Sequence, residues 1–454
     1  NCEFIYVGKA SSNHTLPQDD INRVIADKAK EGKIVTRLKG GDPYVFGRGG
    51  EEGELLKEEG IEFEVVPGIT SAIGGLCYAG IPITHRDYAS SFHVITGHLR
   101  DDDKENPEIN WNALANTNGT LVFLMGVANL QKISSNLIKE GKSKDTPVAL
   151  ISWATRSNQR VITSTLENVY ETAVRENVKP PTLIAVGDVV ELRDKLNFFE
   201  SKPLFGKNVI VTRSRTQSSS LVSKISDLGG NPIEVPTIKI EKIENNIALE
   251  NEIKNIKDYT YLILTSKNAV DIFFDKLDEM DLDSRVLANL KVCAIGSATA
   301  KEIKNRGIKA DIVPEKFVAE YLFEELKDIL KDSDKVLIPR SKNARDFLVD
   351  KISEICEVKE VHIYETVLDD SKKDEVLEVL NSEEANYITF ASSSTVTNFV
   401  EIIGQENIDK LNKLKVISIG PITTQTAKDL NISIYKEADI ATIDGMIDCI
   451  MNDK

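Results

Sequence analysis

An internal repeat in the second half of the chain restricts the fold more than any other feature of the sequence. Three segments occur twice, about 125 residues apart. The pairs are NVIVTR (208–213) with KVLIPR (335–340), YLILTSKNAVDIFF (261–274) with YITFASSSTVTNFV (387–400), and LKVCAIGSATAKEI (290–303) with LKVISIGPITTQTA (414–427). Each copy has the order strand, helix, strand, polar loop, helix, which is typical of a parallel sheet covered by helices. The sequence therefore predicts two similar α/β lobes with a cleft lined by the repeated loops.

The first half is organised around a glycine-dense stretch, VTRLKGGDPYVFGRGGEE (35–52). We expect the apolar residues Ile34, Val35 and Leu38 before it to form a strand. A glycine loop at a strand end brings backbone groups close to a ligand, because glycine has no Cβ. The stretch matches neither a phosphate-binding loop nor a dinucleotide fingerprint, since no Gly-Lys-Ser/Thr follows and Glu52 replaces the third glycine. A surface turn without a ligand is the alternative.

Further elements are predicted around this loop. Apolar runs at 4–7 and 63–66 predict strands, and the second of these leads into Pro67-Gly68-Ile69-Thr70-Ser71. Residues 17–29 have a proline and acidic residues at their start and apolar residues at helical spacing, so they predict a helix. A second helix is expected at about 51–59. In open α/β sheets, cofactors bind at the carboxyl ends of strands, where both glycine loops would lie.

Composition excludes several classes of function. The 454 residues suggest several folding units. A formal net charge of −16 argues against nucleic acid as a partner. The five cysteines form no CxxC pair and are expected to be reduced thiols of a cytoplasmic protein, and the five histidines form no cluster with metal-ligand spacing. The sequence shows neither 18 consecutive apolar residues nor a signal segment, so no membrane is expected as a partner.

Several blocks of the first 200 residues resemble the tetrapyrrole methylase family, and in particular uroporphyrinogen-III C-methyltransferases. The blocks are LKGGDPYVFGRGGEE (38–52), VVPGITSAIGGLCYAGIPITHR (65–86), VITGH (94–98), TLVFLMG (120–126), PVALISWATRSNQRV (147–161) and PPTLIAVGDVV (180–190). The resemblance implies S-adenosylmethionine as the cofactor and a homodimer through this module. It also implies a cofactor site, formed by Gly40, Gly41, Asp42, Val45, Thr70, Ser71, Met125 and Ala154.

The resemblance also implies a catalytic role for Lys9, in the context YVGKAS, as a proton donor or as a partner for a substrate carboxylate. Family members carry a few dozen residues before this point. Those residues hold a first strand, a glycine-proline loop at the cofactor and an acidic proton acceptor. We therefore expect the head of this module to be absent from the sequence.

From about residue 205 onward the chain resembles uroporphyrinogen-III synthases. The resemblance implies that Tyr364, in HIYET, is the acid that helps a hydroxyl group depart, and that this module needs no cofactor. The substrate is a polycarboxylate, so arginines, hydroxyl groups and helix N-terminal amides are expected to bind it. The candidates are Arg213, Ser266, Asn268, Thr299, Arg340, Ser392, Ser394 and Thr423. Ordinary helix capping, or a surface salt bridge for the arginines, is the alternative for these residues.

The expected domain organisation follows from these resemblances. A methylase-like α/β module covers residues 1–204, with sub-lobes at about 1–90 and 91–204. A two-lobed α/β synthase-like module with parallel sheets covers 205–454. On the family pattern, lobe A takes about 206–238 plus 366–454, and lobe B takes about 240–364. The repeat alone fits two sequential lobes equally well.

The resulting hypothesis is a bifunctional enzyme of tetrapyrrole biosynthesis. It would convert hydroxymethylbilane to uroporphyrinogen III and methylate that product to precorrin-2, on the route to sirohaem or cobalamin. Two alternatives stay open. The methylase could act on another precorrin, or the two-lobed module could be a small-molecule binding unit with an inactive methylase as its scaffold.

Overall fold

A computed structural model of the chain describes residues 2–10, 13–14, 16–97, 109–212, 215–315 and 318–453. For residues 9–10, 13–14 and 215–219 it describes the backbone alone. The chain divides into two compact units, residues 1–209 with 223–232 and residues 210–222 with 233–454. The domain and lobe limits derived from the sequence remain predictions, because this division does not test them.

The first part of the chain alternates strands and helices. In chain order the elements are β1 (Lys9–Ala10), β2 (Asn13–His14), α1 (Gln18–Lys30), α2 (Gly49–Glu58), α3 (Ser71–Tyr78), β3 (Phe92–Thr96), α4 (Trp111–Ala115), β4 (Thr120–Leu124), α5 (Leu130–Lys139), β5 (Pro147–Ser152), β6 (Arg160–Thr165), α6 (Val169–Arg175), β7 (Thr182–Val186) and α7 (Arg193–Leu196). Short 3₁₀ helices cover Val127–Asn129 and Asp188–Leu192.

Two predicted helices are confirmed as α1 and α2. Pro17 precedes α1, and acidic residues in its first turn with lysines in its last turn complement the helix dipole. The core of this part is a five-stranded mixed sheet in the order β3-β4-β7-β5-β6. Strand β3 runs parallel to β4, while β7 is antiparallel to both of its neighbours, β4 and β5. The carboxyl ends of β3, β4 and β5 therefore lie at one edge of the sheet.

The predictions of strands at 4–7, 34–38 and 63–66 are wrong. The structure describes these segments, and it assigns none of them to a strand. Their apolar side chains are exposed: Phe4 by 92%, Leu38 by 85% and Val66 by 77%. An apolar run becomes a strand only where a neighbouring strand satisfies its backbone and a packed face buries its side chains, and these segments have neither.

The second part of the chain repeats one pattern twice. Its elements are β8 (Asn208–Val211), α8 (Arg215–Asp227), β9 (Asn231–Glu234), β10 (Ile238–Lys242), α9 (Ile247–Lys254), β11 (Tyr261–Leu264), α10 (Lys267–Glu279), β12 (Lys291–Ala294), α11 (Ser297–Asn305), α12 (Ala319–Leu326), β13 (Lys335–Ser341), α13 (Phe347–Ser353), β14 (Glu357–Leu368), α14 (Lys373–Ser382), β15 (Tyr387–Phe390), α15 (Ser393–Ile403), α16 (Ile408–Leu411), β16 (Lys415–Ser418), α17 (Pro421–Asp429), β17 (Ile434–Glu437) and α18 (Ile443–Met451). Short 3₁₀ helices cover Ile256–Asp258, Ser284–Leu287 and Gln405–Asn407.

These strands form two five-stranded sheets. One, which we call the lobe-B sheet, has the order β10-β14-β13-β11-β12, and the other, the lobe-A sheet, has the order β17-β16-β15-β8-β9. Strands β11–β14 of the lobe-B sheet pair in parallel, and β10 is an antiparallel edge strand. The chain starts in the lobe-A sheet, builds the lobe-B sheet and returns. The predicted order strand, helix, strand, loop, helix is confirmed in both copies of the repeat.

Each sheet of the second part has its own apolar core, one around Phe273 and Leu262 and one around Phe390 and Phe399. These cores are built from the strands of the repeat and from the inner faces of the helices that follow them. Within the described residues, no helix is both long and apolar enough to cross a membrane.

Candidate active sites

Asp42 joins the two glycine loops of the first part of the chain. The first glycine loop contains Gly40 and Gly41, and the second covers residues 67–71. Its Oδ1 accepts a hydrogen bond from the Tyr44 amide at 2.9 Å, and its Oδ2 accepts one from the Gly68 amide at 3.1 Å. Gly41 has a φ of +74°, a conformation that glycine adopts at no steric cost. A methyl group added at Gly68 would lie 2.1 Å from the carbonyl oxygen of Gly41. The loops therefore touch through their backbones, and only glycine permits this contact at residue 68.

Gly47 and Gly49, which follow the first glycine loop, have a different structural role from Gly40 and Gly41. The Gly49 amide donates to the Pro43 carbonyl at 2.9 Å, and methyl groups at Gly47 and Gly49 would lie 2.5 Å and 2.7 Å from that oxygen. These glycines close the chain tightly around Pro43 and start α2. Gly40, by contrast, is exposed, and a methyl group there would have no heavy atom within 4 Å. Gly40 thus leaves the backbone of the first loop open to a ligand.

Helix α3 connects the second glycine loop with the end of β5. It begins at Ser71, directly after the buried Thr70. A methyl group at Gly75 would lie 3.2 Å from the Ala154 Cβ and 2.4 Å from the Leu183 Cδ1. The helix therefore packs closely against the loop after β5, so Thr70, Ser71 and Ala154 belong to one region.

Strained residues follow two strands at this edge of the sheet. Met125 comes directly after β4 with a φ of +57°, and Trp153 and Thr155 flank Ala154 after β5 with φ values of +49° and +72°. Side chains other than glycine rarely adopt this conformation, and such residues concentrate at functional sites. Met125 and Trp153 expose 56% and 45% of their surface at this edge of the sheet, and the Arg156 guanidinium lies over the Trp153 ring at 5.4 Å.

A cleft of about 280 Å³ lies at the lobe-B sheet. Its floor and walls are mainly apolar, with Ile295, Ile338 and Leu348 among the lining residues. The polar groups that line it are those of Thr265, Ser266, Arg340, Ser341, Arg345 and Tyr364. An apolar cleft with a few convergent polar groups is typical of a small-molecule site.

Tyr364 is the aromatic residue that lines this cleft, and it is 5% exposed. Its hydroxyl lies 2.9 Å from Ser266 Oγ, and Ser266 Oγ accepts a hydrogen bond from the Ala269 amide at 3.0 Å. Ser266 is the N-cap of α10, so the helix start holds the phenol group in place. If Ser266 donates its own proton to Tyr364, the proton of Tyr364 is left for a ligand in the cleft.

Arg340 also lines the cleft, but its guanidinium group is occupied. The residue is 3% exposed, and it donates to Glu360, to Asp346 and, at 2.6 Å, to the Arg345 carbonyl. It is therefore a buried cation, with each of its three guanidinium nitrogens in a hydrogen bond, and not a surface salt bridge. Arg345 is the accessible cation of the pair, with 73% of its side chain exposed and an ion pair of 3.2 Å to Glu320.

The lobe-A sheet presents equivalent groups. Ser392 is the N-cap of α15, as Ser266 is of α10, and it forms a capping box with Thr395. Ser394 Oγ lies 3.0 Å from Ser392 Oγ. Thr299 and Thr423 occupy the third positions of α11 and α17, and each is 4% exposed. The two copies of the repeat thus place hydroxyl groups at matching helix starts.

The chain matches two family models. That of uroporphyrinogen-III synthase HemD matches residues 219–448, and that of tetrapyrrole (corrin/porphyrin) methylases matches residues 3–170. The porphyrin biosynthesis protein HemD of Ruminiclostridium josui is 42% identical over 450 residues, which are 99% of this chain and 88% of that protein. The chain belongs to the uroporphyrinogen-III synthase HemD family.

Two further relatives are methyltransferases by their names. The S-adenosyl-L-methionine-dependent uroporphyrinogen III methyltransferase of Methanosarcina barkeri is 55% identical over 196 residues, 43% of this chain and 76% of that protein. The uroporphyrinogen-III C-methyltransferase of Bacillus subtilis is 41% identical over 307 residues, 68% of this chain and 62% of that protein. The chain thus combines a methylase module of the tetrapyrrole methylase family with a synthase module.

The structure brings several predicted residues of the methylase module together. Gly41, Asp42 and the segment up to Thr70 touch directly, Ala154 adjoins them through α3, and Met125 lies at the same sheet edge. Val45 is half-buried, and its amide donates to the Asp42 carbonyl at 3.2 Å. The backbone of Lys9 is in β1, while its side chain lies outside the described part of the structure.

The structure also brings several predicted residues of the synthase module together. Tyr364, Ser266 and Arg340 line one cleft, and Asn268 is half-buried in the first turn of α10 beside it. Arg213 lies outside the described residues. The remaining predicted residues are at the helix starts described above.

Sequence reasoning missed three features of these sites: the exposed Trp153, the exposed Arg345 and the buried Gln159. Trp153 lies within a block that resembled the family, and a large aromatic side chain next to a predicted cofactor residue was a usable signal. Gln159 bonds to residues 81 and 41 positions away in sequence, so no local pattern identifies it.

The three buried cysteines are not suited to a role as nucleophiles. All five are free, and burial raises the pKa of the Cys293 thiol to about 12. Burial also raises the pKa values of Cys356 and Cys449. These three thiols therefore stay protonated at neutral pH and are poor nucleophiles.

Proposed function

We propose that the protein is a bifunctional enzyme of tetrapyrrole biosynthesis. Its synthase module cyclises hydroxymethylbilane to uroporphyrinogen III with inversion of the last ring. Its methylase module then transfers methyl groups from S-adenosylmethionine to that product, giving precorrin-2. We place it in the cytoplasm, with dimerisation through the methylase module. The observation that carries the proposal is the Tyr364–Ser266 hydrogen-bonded pair in a largely apolar cleft, in a chain of the synthase family.

The first step of cyclisation needs an acid at the hydroxymethyl group. Tyr364 donates a proton to the hydroxyl oxygen, the carbon–oxygen bond breaks, and water leaves. The lone pair of the pyrrole nitrogen moves toward the methylene carbon and gives an azafulvenium ion. An acid held in a largely apolar cleft, with its oxygen fixed by Ser266, is suited to this step.

The later steps depend on how the substrate is held. The terminal ring attacks the methylene carbon through its substituted carbon, and the resulting spiro intermediate breaks and recloses with that ring inverted. The ring then loses one proton, which returns to the tyrosinate. The substrate supplies all the electrons, so the enzyme contributes mainly orientation. The helix-start hydroxyls Ser392, Ser394 and Thr423, with Thr299 and Asn268, are proposed to bind carboxylate arms without a large positive field.

The methylase module has groups that suit an adenosine-bearing cofactor. Gly40 leaves open backbone, Gly41 and Asp42 fix the first loop to the second, and Met125 and Trp153 offer exposed apolar surface. S-adenosylmethionine supplies an activated methyl group, and a reduced pyrrole carbon is the nucleophile. We propose that the loops of Gly41 and Thr70 hold the cofactor, that Ala154 limits the space for its base, and that Lys9 assists proton transfer or binds a carboxylate arm.

The synthase proposal is tested with hydroxymethylbilane alone. The product is oxidised to the porphyrin, and its isomers are separated by chromatography. We expect mainly the type III isomer. Mainly type I product, which forms without an enzyme, would contradict the synthase function and favour a binding protein.

The methylase proposal is tested with uroporphyrinogen III and S-adenosylmethionine that carries a labelled methyl group, using protein from the complete reading frame. We expect label in the tetrapyrrole, with two methyl groups added. Label only when another precorrin is supplied would favour a methylase of that precorrin, and no label with any substrate would leave the module as a scaffold.

A further inference from the structure

We propose that Gln159, together with Glu200 and Arg193, positions the loop Trp153–Thr155 against α3 and thereby sets the affinity of the methylase module for S-adenosylmethionine. This inference rests on the proposed methylase function. None of the three residues is among the proposed cofactor contacts, so the assembly acts through the backbone segments that carry those contacts.

The side chain of Gln159 connects three segments of the chain, and both of its amide hydrogens form hydrogen bonds. Its side chain is buried, with the residue 5% exposed. Its Oε1 accepts from the Thr155 amide at 2.9 Å, and its Nε2 donates to the Tyr78 carbonyl at 3.1 Å and to Glu200 Oε1 at 2.8 Å. A glutamine amide has two N–H groups and one carbonyl oxygen, so this residue can neither rotate nor be replaced by a shorter side chain without losing a bond.

The loop that Gln159 holds is strained. Thr155 is β-branched and has a φ of +72°, and Trp153 has a φ of +49°. Such conformations persist only when the surroundings enforce them. Two local turn bonds, from the Arg156 amide to Trp153 and from the Gln159 amide to Arg156, shape the loop from within. The hydrogen bond that the Thr155 amide donates to Gln159 Oε1 involves a side chain, and it fixes the strained residue itself.

Glu200 and Arg193 tie the same glutamine to the end of α3. Arg193 donates to Glu200 Oε2 at 2.5 Å and to the Ala79 carbonyl at 2.6 Å. The side chains of Arg193 and Glu200 are only 13% and 16% exposed. Gln159 and Arg193 therefore satisfy the carbonyl groups of Tyr78 and Ala79, which α3 leaves without partners at its carboxyl end.

Helix α3 carries this restraint to the cofactor loops. Its carboxyl end is held by the assembly, its middle packs against Ala154 through Gly75, and its first residue follows Thr70. The Gly68–Thr70 segment in turn touches Gly41 and Asp42. One buried glutamine thus fixes the loop after β5 and, through one short helix, the second glycine loop.

The test uses the substitution Gln159→Glu. A carboxylate keeps the acceptor for the Thr155 amide, but it loses the donor to Tyr78 and faces the Glu200 carboxylate at hydrogen-bond distance. We expect the dissociation constant of S-adenosylhomocysteine, measured by calorimetry, to rise about tenfold or more. We expect kcat at saturating S-adenosylmethionine to change much less than KM. The matched control Gln131→Glu, on the exposed face of α5, should bind as the wild type does.

A compensating change separates positioning from a loss of folding. Gln159→Glu with Glu200→Gln restores a donor opposite an acceptor, so we expect at least a partial return of affinity. Unfolding curves at the assay temperature give the folded fraction of each variant. Wild-type affinity in Gln159→Glu, or a loss that equals the unfolded fraction, would overturn the inference. A wild-type protein that does not bind S-adenosylhomocysteine would instead overturn the methylase function.

Discussion

At the scale of single residues, Tyr364 is the side chain on which the proposed ring closure depends most. Tyr364→Phe keeps the ring in its packed position and removes the hydroxyl group, whose hydrogen-bond partner is Ser266. Because a positioned general acid contributes about 100-fold or more, we expect kcat for cyclisation to fall by about that factor. The measurement is the initial rate of uroporphyrinogen III formation.

The control for this variant is Tyr261→Phe, which removes a hydroxyl group at the opposite end of the lobe-B sheet, at the start of β11. Its rate should stay close to that of the wild type. If Tyr364→Phe cyclises at an unchanged rate, Tyr364 is a packing residue, and the acid must be sought elsewhere in the cleft.

A second residue-scale prediction concerns Asp453, which ties together three neighbouring strands of the lobe-A sheet. Its carboxylate, 3% exposed, accepts hydrogen bonds from Lys415, Tyr387 and Tyr435, which lie at the amino ends of β16, β15 and β17. Hydrogen bonds to a charged group contribute about 1.5–3 kcal/mol each. We expect Asp453→Asn to lower the free energy of unfolding by about 2 kcal/mol at pH 7, measured in urea.

The pH dependence of this loss has a definite sign. The hydrogen bond from Lys415, followed by those from Tyr387 and Tyr435, holds the pKa of Asp453 well below its ordinary value. Its contribution is therefore present above the unfolded-state pKa of about 4 and is lost as the pH falls further. The difference between wild type and Asp453→Asn should stay constant from pH 7 to about pH 4 and shrink as the pH falls further. A difference that stays constant below about pH 4, or one equally large for the exposed Asp409→Asn, would contradict this role.

At the scale of elements, the contact between the two glycine loops gives a steric prediction. In Gly68→Ala the new methyl group would lie 2.1 Å from the Gly41 carbonyl oxygen, so the loops must separate, and the hydrogen bond that the residue 68 amide donates to Asp42 must break. We expect the dissociation constant of S-adenosylhomocysteine to rise more than tenfold. Gly50→Ala is the matched control, since a methyl group there has no heavy atom within 4 Å. Equal affinities of the two variants would show that loop contact is unimportant for the cofactor.

Elements also show how far the sequence predicts the structure. The repeat predicts β11-α10-β12-α11 and β15-α15-β16-α17, because alternation of apolar strands with helix-spaced segments is local information. The strands expected at 4–7, 34–38 and 63–66 fail, because an apolar run does not reveal whether another strand will pair with it. Arg340 shows the same limit in the site. Its position at a strand end is predictable, but its bonds to Glu360 and Asp346 depend on how the lobe-B sheet packs.

At the scale of the whole molecule, the chain combines two consecutive reactions. The product of the synthase reaction is the methyl acceptor of the methylase reaction. The substrates of both reactions are polycarboxylates, although the protein has a net charge of −16. We propose that hydroxyl groups and amides at helix starts resolve this conflict, because such groups can bind carboxylates locally without a basic surface. Glycine loops and helix starts are visible in the sequence, whereas the cleft that groups Tyr364 with Ser266 is a property of the folded sheet.

A substitution in the site of one module should lower the activity of that module and leave the activity of the other module unchanged. We expect Tyr364→Phe to retain methylation of supplied uroporphyrinogen III, and Gly68→Ala to retain cyclisation of hydroxymethylbilane, each at about the wild-type rate. Both activities are measured on the same preparation. Loss of both activities in either variant would contradict the assignment of one chemistry to each module.

The most direct test of the account is one reaction in which protein from the complete reading frame receives hydroxymethylbilane and methyl-labelled S-adenosylmethionine together. The account predicts a type III tetrapyrrole that carries two labelled methyl groups. An unlabelled type I porphyrin as the main product after oxidation would contradict it.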